Sequence, residues 1–334
     1  MKFTVALLLI LCLFTFLAAP LVAQTAEEST VPTDRMANEE AEQAPGVAHF
    51  LFNGKYLLFL IMALVGLALL MGKWLNRWVR IGMLAVAFIL FGMELFYPLH
   101  PSPMCGLINL FMFKVLYGTF FAAFIALVLA IFIPSLIGRK LFCGWVCPLG
   151  ALQELINKIP HKFKYKQFNF TAFNTVRMSL LVLFFLTFYA VKNQVTLLAD
   201  NVGGDMTAEI WTAFSAFSLY DPINFFELLH WNINATWIIM FAMLVIASLI
   251  LYRPFCYLIC PIGALTWLAE KIAPGRIRVD HEACTLCMTC VEVSPCPTMA
   301  RLIDETTKAA PDCTSCGECL KSCDQGAIKF GFKK

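Results

Sequence analysis

One cysteine motif occurs twice in the chain and organises the sequence around it. Residues 139–152 read RKLFCGWVCPLGAL and residues 253–265 read RPFCYLICPIGAL, so both copies have the form C-x3-C-P-[LI]-G-A-L. We name this the elbow motif, and its cysteines are Cys143, Cys147, Cys256 and Cys260. Each copy follows a long apolar segment, which predicts two parallel halves related by an axis along the membrane normal. Such an axis would bring the four thiols together.

The composition around the motif is that of a membrane protein. The chain has 334 residues, of which 60% are hydrophobic and 14% charged, and its mean hydropathy is +0.75. Soluble domains contain about 25% charged residues. The formal net charge of +3, from 25 basic and 22 acidic residues, is too small and too scattered to indicate nucleic-acid binding.

Apolar segments of about 20 residues are long enough to span a membrane. The first is an N-terminal segment at residues 3–26, and five further spans are predicted after it. The fourth of these five is short, and it lies between Arg177 and Lys192, whose long side chains can reach the interface. The five spans are residues 56–72, 81–97, 115–133, 178–191 and 231–252.

The basic residues orient these spans. Three Lys or Arg residues lie at 73–80 and seven lie at 139–177, whereas the segments at 98–110 and 193–230 contain none. Because Lys and Arg favour cytoplasmic loops, the two basic segments and everything after the last span are predicted to be cytoplasmic. The two segments without basic residues are predicted to face outward.

Eight further cysteines lie in the polar C-terminal tail. Their spacing is C-x2-C-x2-C-x5-C-P followed by C-x2-C-x2-C-x3-C. In two-cluster ferredoxins, three thiolates of one run hold a 4Fe-4S cluster and the fourth cysteine of that run serves the other cluster. The predicted ligands are therefore Cys284, Cys287, Cys290 and Cys323 for the first tail cluster, and Cys313, Cys316, Cys319 and Cys296 for the second.

Zinc and disulfides are the alternative uses of the tail cysteines. Structural zinc sites usually pair two C-x2-C units or mix Cys with His, and stable disulfides are rare on the cytoplasmic side. Both alternatives are therefore disfavoured. The wider gap before Cys296, and Asp324 in place of Pro after Cys323, depart from the usual ferredoxin spacing but leave the number of ligands unchanged.

Together these patterns predict a mainly α fold, a polytopic transmembrane helix bundle of five to six spans with a small C-terminal α+β domain. Residues 1–24 are predicted to be a signal peptide or an N-terminal anchor. Residues 25–50 are predicted to be an exported, acidic, disordered linker. The bundle covers residues 51–273, and residues 274–334 form a two-cluster 4Fe-4S ferredoxin-like domain.

Three interpretations compete for the elbow cysteines. The first is a third iron–sulfur cluster with two ligands from each copy. The second is a pair of redox-active dithiols, because residues i and i+4 share a helical face. The third is a structural turn, in which Pro148 and Pro261 end a helix and Gly150 and Gly263 permit the chain to turn. This last interpretation leaves the four cysteines unexplained.

A few residues outside these arrays are weaker candidates. Glu94 is the only carboxylate inside a predicted span, and with His100 and Lys114 it is a candidate for handling the protons of a quinol. The alternative is an interfacial carboxylate paired with Lys114. Cys12 and Cys105 have no cysteine partner nearby and are predicted to be packed thiols.

The two elbow motifs, at 143–148 and 256–261, are followed by the two tail runs, and this combination resembles the membrane-bound polyferredoxins typified by NapH, with NosR and CcoG as more distant relatives. The resemblance covers most of the chain from about residue 80 onward. Residues 25–50 are too short for the exported flavin-binding domain of NosR-like members, so the NapH-like pattern fits best. The resemblance implies membrane electron transfer connected to the quinone pool, with quinone and other redox subunits as partners.

The predicted function is a membrane-bound iron–sulfur protein that passes electrons between the quinone pool or a membrane partner and cytoplasmic-side 4Fe-4S clusters. Its predicted location is a bacterial-type inner membrane, and a subunit of an oxidoreductase of the quinol dehydrogenase type fits this function. Two alternatives from other classes stay open. One is an assembly or metal-reducing factor for a separate redox enzyme, and the other is a membrane anchor for a soluble reductase.

Overall fold

The computed structural model describes most of the chain from residue 46 onward. The predicted segment at 1–24 and most of the one at 25–50 lie outside the described residues, as do Glu94, His100 and Cys12. The described residues are 46–52, 54–72, 74–93, 103–117, 120–160, 162, 164–165, 169–202, 235–303 and 312–332.

The fold is mainly α, as predicted, with a two-stranded sheet in the tail. The helices of the first half are α1 (Val47–Leu51), α2 (Gly54–Met71), α3 (Arg77–Gly92), α4 (Pro103–Tyr117), α5 (Ala122–Gly138), α6 (Leu141–Trp145) and α7 (Pro148–Asn157). Those of the second half are α8 (Phe170–Val202), α9 (Ala235–Ile250), α10 (Pro254–Leu258) and α11 (Pro261–Ala269). The tail contains β1 (Gly275–Val279), α12 (Thr289–Val293), α13 (Met299–Ile303), a 3-10 turn at Glu318–Lys321 and β2 (Ile328–Phe332).

Among the residues that the structure describes, one helix is both long and apolar enough to cross a membrane, and it is the 21-residue stretch Phe170–Ala190 of α8. Three shorter apolar helices cover Tyr56–Met71, Ala122–Gly138 and Ala235–Ile250. Large apolar side chains point outward from the helices. Leu186 of α8 is 60% exposed, for example. Exposed apolar surface of this kind marks contact with another apolar phase or a partner.

The bounds predicted for the fourth span were wrong. That span was placed at 178–191, whereas α8 runs over Phe170–Val202. Arg177 therefore lies inside the helix, and its side chain is fully buried rather than extended toward an interface. The buried charge is tolerated because a carboxylate oxygen of Asp312 in the tail lies 3.0 Å from the guanidinium group of Arg177.

The third span also differs from its prediction, which placed one helix at 115–133 after an outward loop at 98–110. The structure instead has two helices, α4 and α5, which pack against each other. Pro103 begins α4, where its missing N–H costs nothing. The Gly118–Thr119 dipeptide between the helices has a low helix propensity.

The core of the bundle surrounds the elbow motifs. Phe142 and Trp145 of α6 pack with buried side chains of α2, α3 and α5. A second apolar cluster joins the two halves, with Met104 and Leu149 from the first half and Phe184, Leu244 and Phe255 from the second. The elbow motifs therefore lie inside the packed core, between the two halves.

The tail closes on itself through its sheet. Strands β1 and β2 are antiparallel, with Gly275 opposite Phe332 and Val279 opposite Ile328. Ile277 and Ile328 of the sheet pack with cysteines of both tail runs. The pairing places the two ends of the tail side by side and encloses both cysteine runs between them.

Candidate functional site

The two elbow motifs have the same local structure. Each first cysteine lies in a five-residue helix, Cys143 in α6 and Cys256 in α10. Each second cysteine, Cys147 or Cys260, is the N-cap of the next helix, and a proline follows at its first position. Proline is favoured there because its fixed φ suits a helix start. The prolines therefore begin helices and do not end them, which corrects the structural-turn interpretation.

The glycines of the motif are also explained by packing rather than by a turn. Gly150 and Gly263 lie inside α7 and α11, and neither has a positive φ. A Cβ added at Gly150 would lie 2.8 Å from the carbonyl oxygen of Cys143, and one at Gly263 would lie 2.7 Å from that of Cys256. Each glycine therefore gives the helix room to approach the first cysteine of its own motif.

All four elbow cysteines line one cavity between the halves, so the predicted meeting of the two motifs is seen in the structure. Met104 of α4 also lines this cavity, although its segment was predicted to be an outward loop. Asp312 and Thr314 of the tail complete the wall. The cavity is thus a junction of both halves and the tail.

Two arginines hold the backbone of the elbows in place. The Arg253 guanidinium donates to the carbonyl oxygen of Cys143 at 2.7 Å, and that of Arg177 donates to the carbonyl oxygen of Cys256 at 2.9 Å. Arg139 and Arg253, which end the apolar segments before the motifs, have positive φ values of 63° and 50°. Such values are uncommon for residues other than glycine, so the chain turns sharply into each elbow.

The buried carboxylate of Glu154 pairs with two arginines beside the first elbow. Glu154 of α7 lies 2.8 Å from Arg80 and 2.5 Å from Arg253, and it accepts a hydrogen bond from the Tyr252 hydroxyl at 2.8 Å. Burial alone would raise the pKa of Glu154, but the two guanidinium groups hold that pKa well below its ordinary value. Glu154 is therefore ionised and balances two buried positive charges.

The tail is docked on the elbows by a second buried ion network. The carboxylate of Asp312 pairs with Lys140 and Arg177, and its backbone N–H donates to Glu270 at 2.8 Å. Asp312 has a φ of 58° and directly precedes Cys313, the first cysteine of the second tail run. The network therefore fixes where that run begins relative to the elbow cavity.

Backbone contacts reinforce the docking. A Cβ added at Gly144 would lie 2.0 Å from the carbonyl oxygen of Thr314, so only glycine fits at this position of the first elbow. The Trp145 indole N–H donates to the carbonyl oxygen of Ser315 at 2.9 Å. The hydroxyl of Ser315 donates to the carbonyl oxygen of Gly138 at 2.7 Å. The second tail run thus packs directly on the first elbow.

Three of the four cysteines in the second predicted tail set are buried, and Cys296 is half-buried. Cys313, Cys316 and Cys319 are each less than a tenth exposed. Burial raises the pKa of Cys313 to about 12 and that of Cys296 to about 11, and the nearby Cys316 adds to both shifts. The four cysteines of this set therefore lie close enough together to interact electrostatically.

The first predicted tail set is more open. Cys290 is buried, Cys284 and Cys323 are half-buried, and Cys287 is exposed. Burial raises the pKa of Cys290, and the neighbouring Cys323 raises it further. Cys323, the last cysteine of the second run, thus lies beside the first run.

The three sets of cysteines, one at the elbows and two in the tail, have the ligands that iron–sulfur clusters need. Thiolates buried together repel one another and need a compensating positive charge, which iron supplies. Within the described residues, no three His, Cys, Asp or Glu side chains are arranged to hold a single metal ion. A 4Fe-4S cluster does not require three side chains to meet at one ion, because each of its four irons takes one protein thiolate.

Several residues of this site carried no distinctive signal in the sequence. Arg177, Arg253 and Asp312 are charged residues at helix or loop boundaries, and such residues are usually solvated. Only the folded chain shows that their side chains are buried around the cavity. For Asp312, its position next to Cys313 was the one available hint.

A family model described as a 4Fe-4S binding domain matches the chain twice, at residues 119–166 and 233–280. Each match contains one elbow motif and therefore two of the four elbow cysteines. Both tail runs lie outside the matched ranges. The matched ranges are thus the two copies of the duplicated half, including the cysteines that meet at the cavity.

Curated relatives agree with this match. YccM of Escherichia coli (strain K12) is 28% identical over 70% of this chain and 63% of its own length. The ferredoxin-type protein NapH of the same organism is 28% identical over 57% of this chain and 61% of its own length. The regulatory protein NosR of Pseudomonas aeruginosa is 24% identical over 52% of this chain and 27% of its own length.

The chain spans about three fifths of the length of YccM and of NapH. No solved structure matches it. The repeated 4Fe-4S domain and these relatives show that the chain is similar to the NapH-like polyferredoxins, in agreement with the resemblance seen in its sequence.

Proposed function

We propose that this protein is a membrane-embedded iron–sulfur electron carrier, which exchanges electrons between the quinone pool or a membrane partner and 4Fe-4S clusters on the cytoplasmic side. The observation that carries the proposal is that both elbow motifs meet at one cavity whose wall continues into the second tail run. The matched 4Fe-4S domain supports the iron–sulfur chemistry. The relatives NapH and MauN are both named ferredoxin-type proteins, which agrees with this role.

Twelve cysteines would supply three sets of four ligands. A 4Fe-4S cluster held by such a set gains and loses single electrons at a potential that its surroundings determine. The sets are Cys284, Cys287, Cys290 and Cys323; Cys313, Cys316, Cys319 and Cys296; and Cys143, Cys147, Cys256 and Cys260. For the elbow set, we prefer a third cluster to two separate dithiols because both motifs line the same cavity.

The three sets form a series from the bundle to the surface of the tail. The elbow set lies in the core between the halves. The second tail set begins next to Asp312, which lines the elbow cavity, whereas the first tail set includes the exposed Cys287. A soluble redox partner would therefore approach the first tail set, while a membrane partner would approach the bundle.

The same proposal places the protein in a bacterial-type inner membrane, crossed several times, with the tail in the cytoplasm. Besides α8, three apolar helices of 16 or 17 residues are present. At 1.5 Å per residue they would cover about 25 Å of a hydrocarbon core about 30 Å thick. Trp74 and Trp78 are 74% and 78% exposed beside Arg77, as suits side chains at a membrane interface.

The first experiment counts the clusters. The protein is purified anaerobically, and its iron and sulfide contents and EPR spectra are compared with those of the double variant Cys143→Ser plus Cys256→Ser. We expect the variant to lose one of three clusters. The matched control is Cys12→Ser plus Cys105→Ser, which removes two cysteines from outside the three sets and should keep every cluster. An unchanged cluster count in the elbow variant would refute the third cluster.

The second experiment distinguishes the electron carrier from its alternatives. Protein with reduced clusters is mixed with a soluble quinone analogue, and reoxidation is followed by visible absorption. Rapid reoxidation is expected for the electron carrier. No reaction with quinone, together with reduction of copper or ferric ions, would favour an assembly or metal-reducing factor. A membrane anchor would leave electron flow through its soluble reductase unchanged when the tail cysteines are replaced.

A further inference from the structure

A buried polar residue occupies the same position in both repeats, ten residues after the first elbow cysteine. It is Gln153 in α7 and Thr266 in α11, and neither side chain is exposed. Both side chains also form a hydrogen bond with the backbone of their own helix, Gln153 to Leu149 and Thr266 to Ile262. Helix formation does not require a polar side chain here, so these buried groups need another explanation.

The amide of Gln153 is oriented by the opposite elbow. Its oxygen accepts a hydrogen bond from the backbone N–H of Phe255 at 3.0 Å. Because a backbone N–H can only donate, the oxygen must face Phe255, and the amide nitrogen faces Leu149 and Cys256. That nitrogen lies 3.4 Å from the sulfur of Cys256. Gln153 of the first repeat therefore donates to the first cysteine of the second repeat.

Thr266, at the equivalent position of the second repeat, does not repeat this contact. Its hydroxyl donates its single proton to the carbonyl oxygen of Ile262 at 2.7 Å. That proton is therefore not available to a cysteine sulfur. Gln153 is the member of the pair that donates to an elbow cysteine.

We infer that Gln153 is a positioning residue that raises the reduction potential of the group held by Cys143, Cys147, Cys256 and Cys260. This inference rests on the proposed function, since it requires a cluster at the elbows. Reduction adds negative charge to the cluster and its sulfurs, and hydrogen bonds to those sulfurs stabilise that charge. The donor and the sulfur come from opposite repeats, so the potential depends on both halves being packed together.

The test is an EPR-monitored redox titration of the full-length protein in detergent. The relevant signal is the one that Cys143→Ser plus Cys256→Ser removes. In Gln153→Met, we expect the equilibrium constant of reduction to fall about tenfold, which lowers the potential by about 59 mV for one electron. The potentials of the two tail clusters should not change.

Two further variants separate tuning from folding. Thr266→Val removes the buried hydroxyl at the equivalent position of the second repeat, whose proton is donated to Ile262, and it should retain the wild-type potential. Ser135→Ala removes another buried hydroxyl, one that bonds to Ile131 in α5 and does not line the cavity, and it should also leave the potential unchanged.

The possible failures are distinguishable. An elbow signal whose potential stays at the wild-type value in Gln153→Met would overturn the inference and leave the proposed function intact. Loss of the elbow cluster in Gln153→Met, with the cluster of Thr266→Val intact, would show that Gln153 holds the site rather than tunes it, and this would also overturn the inference. If the wild-type protein has no elbow signal, the third cluster and the inference both fail.

Discussion

Arg177 and Asp312 form an ion pair that connects the bundle to the tail. Their charged groups are 3.0 Å apart, and both side chains are almost completely buried. The same carboxylate pairs with Lys140, so one aspartate of the tail neutralises two cations of the bundle. Because buried cations are costly without a partner, Asp312 contributes strongly to the docking of the tail.

We therefore expect Asp312→Ala to destabilise the protein by about 3 to 5 kcal/mol, the usual cost of leaving a buried charge unpaired. The measurement is the unfolding midpoint in detergent. The matched control is Asp280→Ala, since the carboxylate of Asp280 forms a largely exposed pair with Lys329 at 3.2 Å. Exposed pairs contribute only about 0.2 to 1 kcal/mol. Equal effects of the two substitutions would contradict the docking role of Asp312.

The acid sensitivity of the bundle should depend on Glu154. Arg80, Arg253, Tyr252 and Lys158 face its carboxylate, and the pKa is lowered despite burial. A depressed pKa stabilises the folded state at a pH above the unfolded value, and this stability is lost as the pH falls toward the folded value. We expect the wild-type unfolding midpoint to decrease as the pH falls below about 4.5, the ordinary value for Glu.

The comparison for this prediction is Glu154→Gln, which has no carboxylate to protonate. At neutral pH the variant should be less stable than wild type, because Arg80 and Arg253 lose their negative partner. Its stability should also fall less steeply on acidification than that of wild type. If the two proteins have parallel pH profiles below about 4.5, then Glu154 is not the group responsible.

Gly150 and Gly263 should be intolerant of any side chain. Alanine at either position would place a Cβ less than 3.0 Å from a cysteine carbonyl oxygen, and overpacking of this kind costs about 1 to 3 kcal/mol. Gly82 is the matched control, because it lies in α3 with nothing within 4 Å of an added Cβ. There, alanine should stabilise the helix by about 0.5 to 1 kcal/mol. In thermal unfolding, we expect a lower midpoint for Gly150→Ala and Gly263→Ala and a higher midpoint for Gly82→Ala.

Single serine substitutions should reveal how the tail cysteines are divided between the two clusters. Cys296→Ser should perturb the same EPR signal as Cys313→Ser, and Cys323→Ser should perturb the same signal as Cys290→Ser. Cys296 follows the first run in the chain, so assignment by nearest neighbours alone gives the opposite grouping. If Cys296→Ser and Cys290→Ser affect the same signal, the crosswise ligand sets are wrong.

The duplication of the elbow motif and the grouping of the cysteines can be read directly from the sequence. These features are local, because C-x3-C-P and C-x2-C spacings and apolar runs can be read without knowledge of the fold. The mainly α class followed from the same patterns, and the structure confirms it. The parallel repeat also predicted that the four elbow thiols would meet, and they line one cavity.

Helix bounds were less accurate where tertiary contacts override local signals. Arg177 marked the end of a predicted span because an isolated arginine is costly inside an apolar helix. In the fold, Asp312 compensates that charge from a position 135 residues away in the chain. Residues 98–110 contain no Lys or Arg and are therefore predicted to form an outward loop, yet Pro103 begins a helix there whose first residues line the elbow cavity.

The polar groups that surround the cysteines could not be predicted from the sequence, because they come together only in the folded chain. Glu154, Asp312 and Gln153 are unremarkable in the sequence, since such residues are usually exposed or bonded to their own helix. Their roles arise from contacts between separate elements, such as Gln153 with Cys256 across the two repeats. The spacing of cysteines along the chain specifies the ligands, whereas the charges and hydrogen bonds around them depend on how the halves and the tail pack together.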